Sequence, residues 1–252
     1  MSTTIVHDTA LVFGRELRPV LRDPFSVLFG LIQPLFFLAL FAPLLSGVTG
    51  LGTSSSLQWF VPGVVVMLCL FGTSTTGANL QGEMQSGSHE RLLVTPLSRS
   101  SLMVGRALKE IVPTVVQALV IVLATVPFGF RPDAAGAVLG LAILAVFCVG
   151  LGALSYSLAL ACRNNDWMFW VVQQTLLFPL LLLAGMLLPV DNGPGWLQAL
   201  SKANPLTYVV DAERALFNGD FSADVLAGGV AAALVMAGLG LVVGTRAMRR
   251  TD

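Results

Sequence analysis

Residues 135–161, AGAVLGLAILAVFCVGLGALSYSLALA, run 27 positions without a charged side chain. A helix crossing a hydrocarbon core about 30 Å thick needs roughly 20 such residues. Five more apolar runs flank it, at 25–46, 60–82, 111–130, 167–189 and 224–245. The first four of these hold no charge either, and the last begins at Asp224, on its edge. The runs are too long for strands and none alternates as a barrel strand does. Helices satisfy every backbone polar group internally, so six spanning helices are the expected answer. Pro34, Pro43, Pro62, Pro113, Pro127 and Pro179 are expected to kink or bound them.

Composition supports a bilayer as the solvent. Only 11% of residues are charged and mean hydropathy is +0.82, whereas a soluble domain carries about a quarter charged residues. Net charge is zero, so nothing points to a nucleic-acid partner. Cys69, Cys148 and Cys162 lie inside apolar runs without CxxC spacing, which reads as buried small side chains rather than disulfides. The two histidines, His7 and His89, have no ligand partners nearby, so no metal site is expected.

The basic residues are sided. With both termini in the cytoplasm, the inner face holds Arg15, Arg18, Arg22, Arg91, Arg99, Arg106, Lys109, Arg163, Arg246, Arg249 and Arg250. The outer face holds Arg131, Lys202 and Arg214. Eleven against three sets that orientation. The first apolar run starts only near residue 25, after a charged, patterned segment, which is not how a signal peptide reads. Within 1–24, Val6, Ala10, Phe13, Leu17 and Val20 recur at spacings of four and three, with Arg15, Arg18 and Arg22 opposite. That is an amphipathic helix suited to the inner headgroup plane. Pro19 is expected to end or bend it.

Several function classes lose their support. The chain has no GxxxxGK[ST] phosphate loop, no HExxH and no GxSxG, so it neither binds ATP in the P-loop manner nor reads as a membrane hydrolase. Ion-coupled carriers place ionisable groups near the midplane of their spans, and here there are none. A non-transporting scaffold stays open as the alternative. Work done across this membrane must draw its energy from another chain.

The longest inner connection, 83–110, carries much of the scarce charge. Gly87 and Ser88 start a short helix that Pro96 ends, since the residue before a proline disfavours helical angles. Leu92 and Leu93 sit beside Glu90 and Arg91, a pattern that suits a groove on a soluble partner as well as it suits an ordinary solvated loop. EMQSGSHERLLVTPLSRSSLMVGRALKE (83–110), RELRPVLRDPFSVLFGLIQPLFF (15–37) and LLAGMLLPVDNGPGWLQALSKANPLTYVVDAERAL (182–216) resemble, in order, parts of type-2 ABC-transporter permeases of the daunorubicin-resistance-like drug exporters. The resemblance covers nearly the whole chain, 1–252, as one permease domain. It implies a coupling helix at about 88–95 with Glu90, Arg91, Leu92, Leu93 and Pro96 at an ATPase groove, and an N-terminal helix that also touches the ATPase. It further implies two permease copies, expected as a homodimer, on two ATPase subunits in a bacterial cytoplasmic membrane. ATP and magnesium would be held by the ATPase and no cofactor by this chain. The cargo would be a hydrophobic or amphiphilic small molecule.

In such permeases spans two and five border the route. Here Phe71, Thr75 and Asn79 share one face of span two, and Trp170, Gln174 and Phe178 one face of span five. An aromatic and amide lining suits an amphiphile, although such residues also pack membrane helices and Trp167 and Trp170 also read as interface anchors. In the outer segment 190–221, Asn204 caps a short helix with Pro205 in its first turn. Leu206, Val209, Val210, Leu216 and Phe217 form its apolar face, and Asp211 and Arg214 are polar. It reads as a short helix lying in or dipping into the outer leaflet, with packing of the ends of spans five and six as its favoured role and gating of exit as the other.

Overall fold

The computed structural model describes residues 2–45, 56–95, 97–163, 165–190 and 193–249, and among these no strand occurs. The helices follow the chain as α1 (Ser2–Arg22), α2 (Pro24–Phe29), α3 (Ile32–Leu45), α4 (Ser56–Gln85), α5 (Ser88–Leu93) and α6 (Arg99–Lys109). After them come α7 (Ile111–Thr125), α8 (Ala134–Ala161), α9 (Asp166–Leu183), α10 (Gly195–Ala203), α11 (Pro205–Phe217) and α12 (Ala223–Arg249). Among the described residues five stretches are long and apolar enough to cross a bilayer: α4, residues 99–128, α8, α9 and α12 to Met248. The protein is an all-α, multi-pass membrane protein.

The expected first span is not one helix. It is broken at Gly30–Leu31 into α2 and α3, and meets the length test only together with α1, from which it is bent by 77°. Pro34 gives the reason: it has no N–H for the Gly30 carbonyl, and its ring crowds that position. The side chain of Gln117 on α7 takes up part of the loss, donating to the Val27 carbonyl at 2.6 Å. A methyl group on Gly30 would stand 2.7 Å from that same amide nitrogen, so the break and Gln117 fit one another. Residue 46, the end of the expected span, lies outside the described residues.

The connection 83–110 also differs from its reading as a long loop. Gly87, at φ +67°, turns the chain into α5, and α6 then begins at Arg99 with Ser98 as cap, its Oγ accepting from Ser101 N at 3.2 Å. Among the described residues only Ser86, Gly87, Val94, Thr95, Leu97, Ser98 and Glu110 are left between helices. Charge made α6 look like a loop, but Arg106 and Lys109 are buried and paired inside the protein.

Helix α1 runs through Pro19 to Arg22, and Asp23 N donates to the Pro19 carbonyl at 3.0 Å. The face it packs on α6 centres on Val12, which meets Gly105. The stripe expected to be apolar is left largely uncovered: Val6 is 72% exposed, Ala10 exposed, and Phe13, Leu17 and Val20 half-buried. A helix lying in a lipid surface needs such a face, with protein on another side.

Helix α8 is the centre of the bundle, with α4 and α12 against it. Its Gly150 meets Gly240 of α12 so closely that a methyl group on either would collide with backbone of the other helix. Small residues allow this approach where no hydrophobic force draws helices together. The core around it holds Phe60, Met67, Leu144, Phe147 and Phe217, all fully buried. Cys69, Cys148 and Cys162 are buried and free, as their apolar surroundings predict. Leu123, Val138, Leu234 and Leu239 stay exposed on the outside of the bundle, where lipid is their solvent. Of the prolines, Pro43, Pro62 and Pro179 lie inside helices, while Pro127 falls in the 3-10 turn that ends α7.

Candidate functional site

Both ends of the bundle and one cleft in its side carry the polar chemistry. At the α5 end, Arg106 of α6 is buried between Glu16 of α1, 3.4 Å away, and Glu83 of α4. Its guanidinium also lies 5.5 Å from the Tyr156 ring centroid on α8. One cation thus ties four helices. Close by, Lys109 pairs with Glu110 at 2.8 Å. Further bonds fasten α1 to the start of α6: Ser101 Oγ donates to the Ile5 carbonyl at 3.1 Å, and Ser98 N donates to Asp8 at 3.4 Å.

On this base α5 projects. Glu90 and Arg91 are exposed, Leu92 is half-buried, and Val94 just beyond is 86% exposed. The side chain of Leu93 and the whole of Pro96 lie outside the described residues. Thr95 closes the helix, its N–H and Oγ both donating to the Leu92 carbonyl. His89 is buried on the inner side of α5, and neither ring nitrogen has a hydrogen-bond partner. Burial and the nearby Arg106 lower its pKa, against the opposing pull of Glu90. A neutral ring therefore anchors α5, and the charged side faces away. Arg15, Arg18 and Arg22 of α1 are exposed at the same end. Arg99 reaches the Met248 carbonyl at 3.4 Å, so the last turn of α12 is there too.

A cleft of about 620 Å³ opens between the α1–α2 corner, α4, α7 and α9. Phe71, Thr75 and Asn79 of α4 line one wall, Trp170 and Gln174 of α9 another. The two faces picked out by helical spacing therefore meet across one space. Phe178, one turn further along α9, is outside the lining and half-exposed on the surface. The volume falls in the range of drug-sized pockets.

At the opposite end α11 is packed among α4, α8 and α12 rather than lying free. Its cap forms as the sequence predicts, with Asn204 Oδ1 accepting from Leu206 N at 3.1 Å. Leu206, Val209, Val210, Leu216 and Phe217 are all buried. Arg214 lies over Trp59 of α4, 3.9 Å from the ring centroid, and donates to the Trp59 and Gly185 carbonyls at 3.1 and 2.7 Å. Gln58 and Arg131 exchange two backbone–side-chain bonds of 2.9 Å, holding the start of α4 to the chain entering α8.

Glu213, which helical spacing alone does not mark as functional, is fully buried, with no hydrogen-bond partner on either oxygen. It fills the recess left by Gly140 of α8, and burial pushes its pKa up to about 8. The signal for its burial was present: 213 continues the spacing 206, 209, 210, 216, 217, so a carboxyl falls on an apolar face. Arg106, Glu83 and Glu16 had no such local signal, because their partners are distant in sequence. Among the described residues no group of three or more His, Cys, Asp or Glu side chains is placed to hold a metal.

The family model for the ABC-2 type transporter matches residues 7–218. "Daunorubicin resistance ABC transporter permease protein DrrB1" of Streptomyces coeruleorubidus is 26% identical over 218 residues, spanning 86% of this chain and 77% of that protein. The ycf38 protein of Cyanophora paradoxa is 31% identical over 203 residues, 78% of this chain and 69% of its own. "Probable multidrug ABC transporter permease YbhR" of Escherichia coli (strain K12) is 29% identical over 173 residues, 67% of this chain and 46% of that protein.

Proposed function

Because the chain belongs to the ABC-2 type transporter family, we propose that two copies of it, on two copies of a separate ATP-hydrolysing subunit, move an amphiphilic small molecule outward across a bacterial cytoplasmic membrane. The chain is a permease of the ABC-exporter kind, and an ATPase partner goes with that family. In this reading it hydrolyses nothing itself, and the nucleotide and its magnesium stay on the partner. The homodimer follows from economy: one chain supplies half a pathway, and identical halves close by a two-fold axis.

The observation that carries the reading is the form of α5. Glu90 and Arg91 point to solvent from a short helix anchored by buried His89 and flanked by the Arg106 junction. A load applied there passes to α4, on which α5 packs, and from Glu83 of α4 through Arg106 to α6 and α1. We place this end in the cytoplasm because Arg91, Arg99, Arg163 and Arg246 collect on it, against Arg131, Lys202 and Arg214 at the α11 end. Helix α1 then lies along the inner headgroups, where the exposed Arg15, Arg18 and Arg22 meet anionic lipid or the ATPase.

The cleft between α4 and α9 is the proposed route, with Phe71 and Trp170 offering aromatic walls. Relatives named for daunorubicin and multidrug resistance support an amphiphilic, drug-like cargo. Helix α11 serves to pack the outer ends of the spans, consistent with its buried face. Affinity purification of the chain in mild detergent tests the reading: an ATPase subunit should accompany it, and its absence speaks for a non-transporting scaffold.

A further inference from the structure

The cleft has a polar character narrower than "amphiphilic" conveys. Its charged lining consists of Asp23, Lys109 and Glu110. Lys109 and Glu110 are 2.8 Å apart, with side chains only 9% and 3% exposed, so each neutralises the other. Asp23 stands exposed where α1 passes into α2, in reach of water and headgroups that screen it. The buried part of the cleft therefore holds no net charge to receive a cation or an anion, and Asp23 at the α1–α2 corner is the exposed exception. Moving an unpaired charge out of water is far more costly than moving a neutral group that finds hydrogen bonds.

Carboxamides fill the place that charges leave. Gln33, Asn79, Gln173 and Gln174 line the same space on three helices. Gln117 does too, but its amide nitrogen is taken up by the Val27 carbonyl. Asn79 and Gln174 are exposed on the walls, each offering both a donor and an acceptor. Gln173 is only 6% exposed, and its Oε1 has no hydrogen-bond partner. A buried acceptor without a donor is unfavourable until one arrives. The apolar share of the wall comes from Leu68, Phe71, Trp170 and Leu177.

We propose that the cleft selects amphiphiles whose polar part is uncharged and hydroxyl-rich, such as a glycoside or polyol, with that part donating to Gln173 and bonding Asn79 and Gln174 while the apolar part lies on Phe71 and Trp170. The inference rests on the cleft being the route of an exporter, and it assigns the class of cargo.

The test uses the full chain in lipid nanodiscs, with Cys69, Cys148 and Cys162 replaced by alanine and Thr75→Cys as a reporter on the cleft wall. Three probes share one alkyl tail and differ in the head: a hexose glycoside, a trimethylammonium and a sulfate. Each is titrated for its ability to protect the reporter from a maleimide. The glycoside should protect at a concentration about tenfold lower than either charged probe, as one or two neutral hydrogen bonds provide. Gln173→Leu and Gln174→Leu should each remove most of that advantage. Gln174 is exposed, so its variant tests the claim even where Gln173→Leu fails to fold. Equal protection by all three heads, preference for a charged head, no protection at all, or a glycoside preference untouched by Gln174→Leu each overturns the proposal. Glycoside-selective protection without ATP-driven movement in the complex with its ATPase overturns the exporter reading and leaves the assignment of the cleft standing. ATP-driven movement favouring a charged probe does the reverse.

Discussion

The guanidinium of Arg106 lies 3.4 Å from the carboxylate of Glu16, joining the helix that leads into the α6–α7 span to the surface helix α1. Glu83 of α4 takes the other side of the same cation. Arg106 is 5% exposed, so the pair sits largely out of water. Removing one partner of a buried pair leaves charge without compensation, which is worse than removing both.

Arg106→Ala should therefore destabilise the protein by about 3 kcal/mol, the low end for broken buried pairs, because both glutamates still reach some solvent. Thermal unfolding of the detergent-solubilised protein measures it. Glu16→Gln with Glu83→Gln in the same Arg106→Ala background should recover part of the loss.

Glu213 predicts a pH dependence. Its pKa when docked is about 8 against an ordinary 4.5. Below about pH 4.5 the carboxyl is neutral whether α11 is docked or not, and the docked state has its full stability. As pH rises toward 8 the undocked carboxyl ionises while the docked one does not, so docking weakens, and above about 8 the loss is complete. Gly140 of α8 lies against Glu213 and Cys69 of α4 is near, and burial raises the carboxyl's pKa with no cation offsetting the shift. The unfolding midpoint should fall between about pH 5 and about pH 8 in the wild type and fall less in Glu213→Gln.

Thr75 and Asn79 are exposed on the cleft. A tryptophan at either position should enter that space without overfilling the bundle, so the complex should assemble normally and transport should fall sharply. Lost assembly would instead mean a packed interior, where overfilling costs about 1–3 kcal/mol. Yield of extracted complex and drug accumulation in cells, measured together, separate the two.

The orientation is tested by single cysteines in a cysteine-free background. Ser86→Cys, exposed near α5, should label only from inside, and Lys202→Cys, exposed on α10, only from outside. Labelling of both from one side contradicts the arrangement.

Long periodic features were legible from the sequence, and those made by distant partners were not. Uncharged runs of about 20 residues announce the spans at α4, α7, α8, α9 and α12 whatever they pack against, while the run 25–46 is broken. The cap at Asn204 and the start of α5 at Gly87 are local chemistry, and both stand where the residues place them. The break at Gly30 is subtler, since Pro34 permits it but Gln117, 87 positions away, accommodates it. Helix α6 was hidden because Arg106 and Lys109 looked like solvent-facing charge until Glu16, Glu83 and Glu110 were brought beside them. At the cleft, helical spacing placed Phe71, Thr75, Asn79, Trp170 and Gln174 on two faces, but only the fold turns those faces toward each other. Gln173 was passed over because nothing local distinguishes it from Gln174.

The central claim is that α5 receives the work of a separate ATPase. The most direct measurement is ATP hydrolysis and substrate movement by the reconstituted complex carrying Glu90→Ala, Leu92→Ala and Leu93→Ala together. These residues lie on a short helix outside the spans, so insertion and yield should match the wild type. The account predicts loss of ATPase association, or hydrolysis that continues while transport stops. Wild-type transport by the triple variant, with the ATPase bound as before, would contradict it.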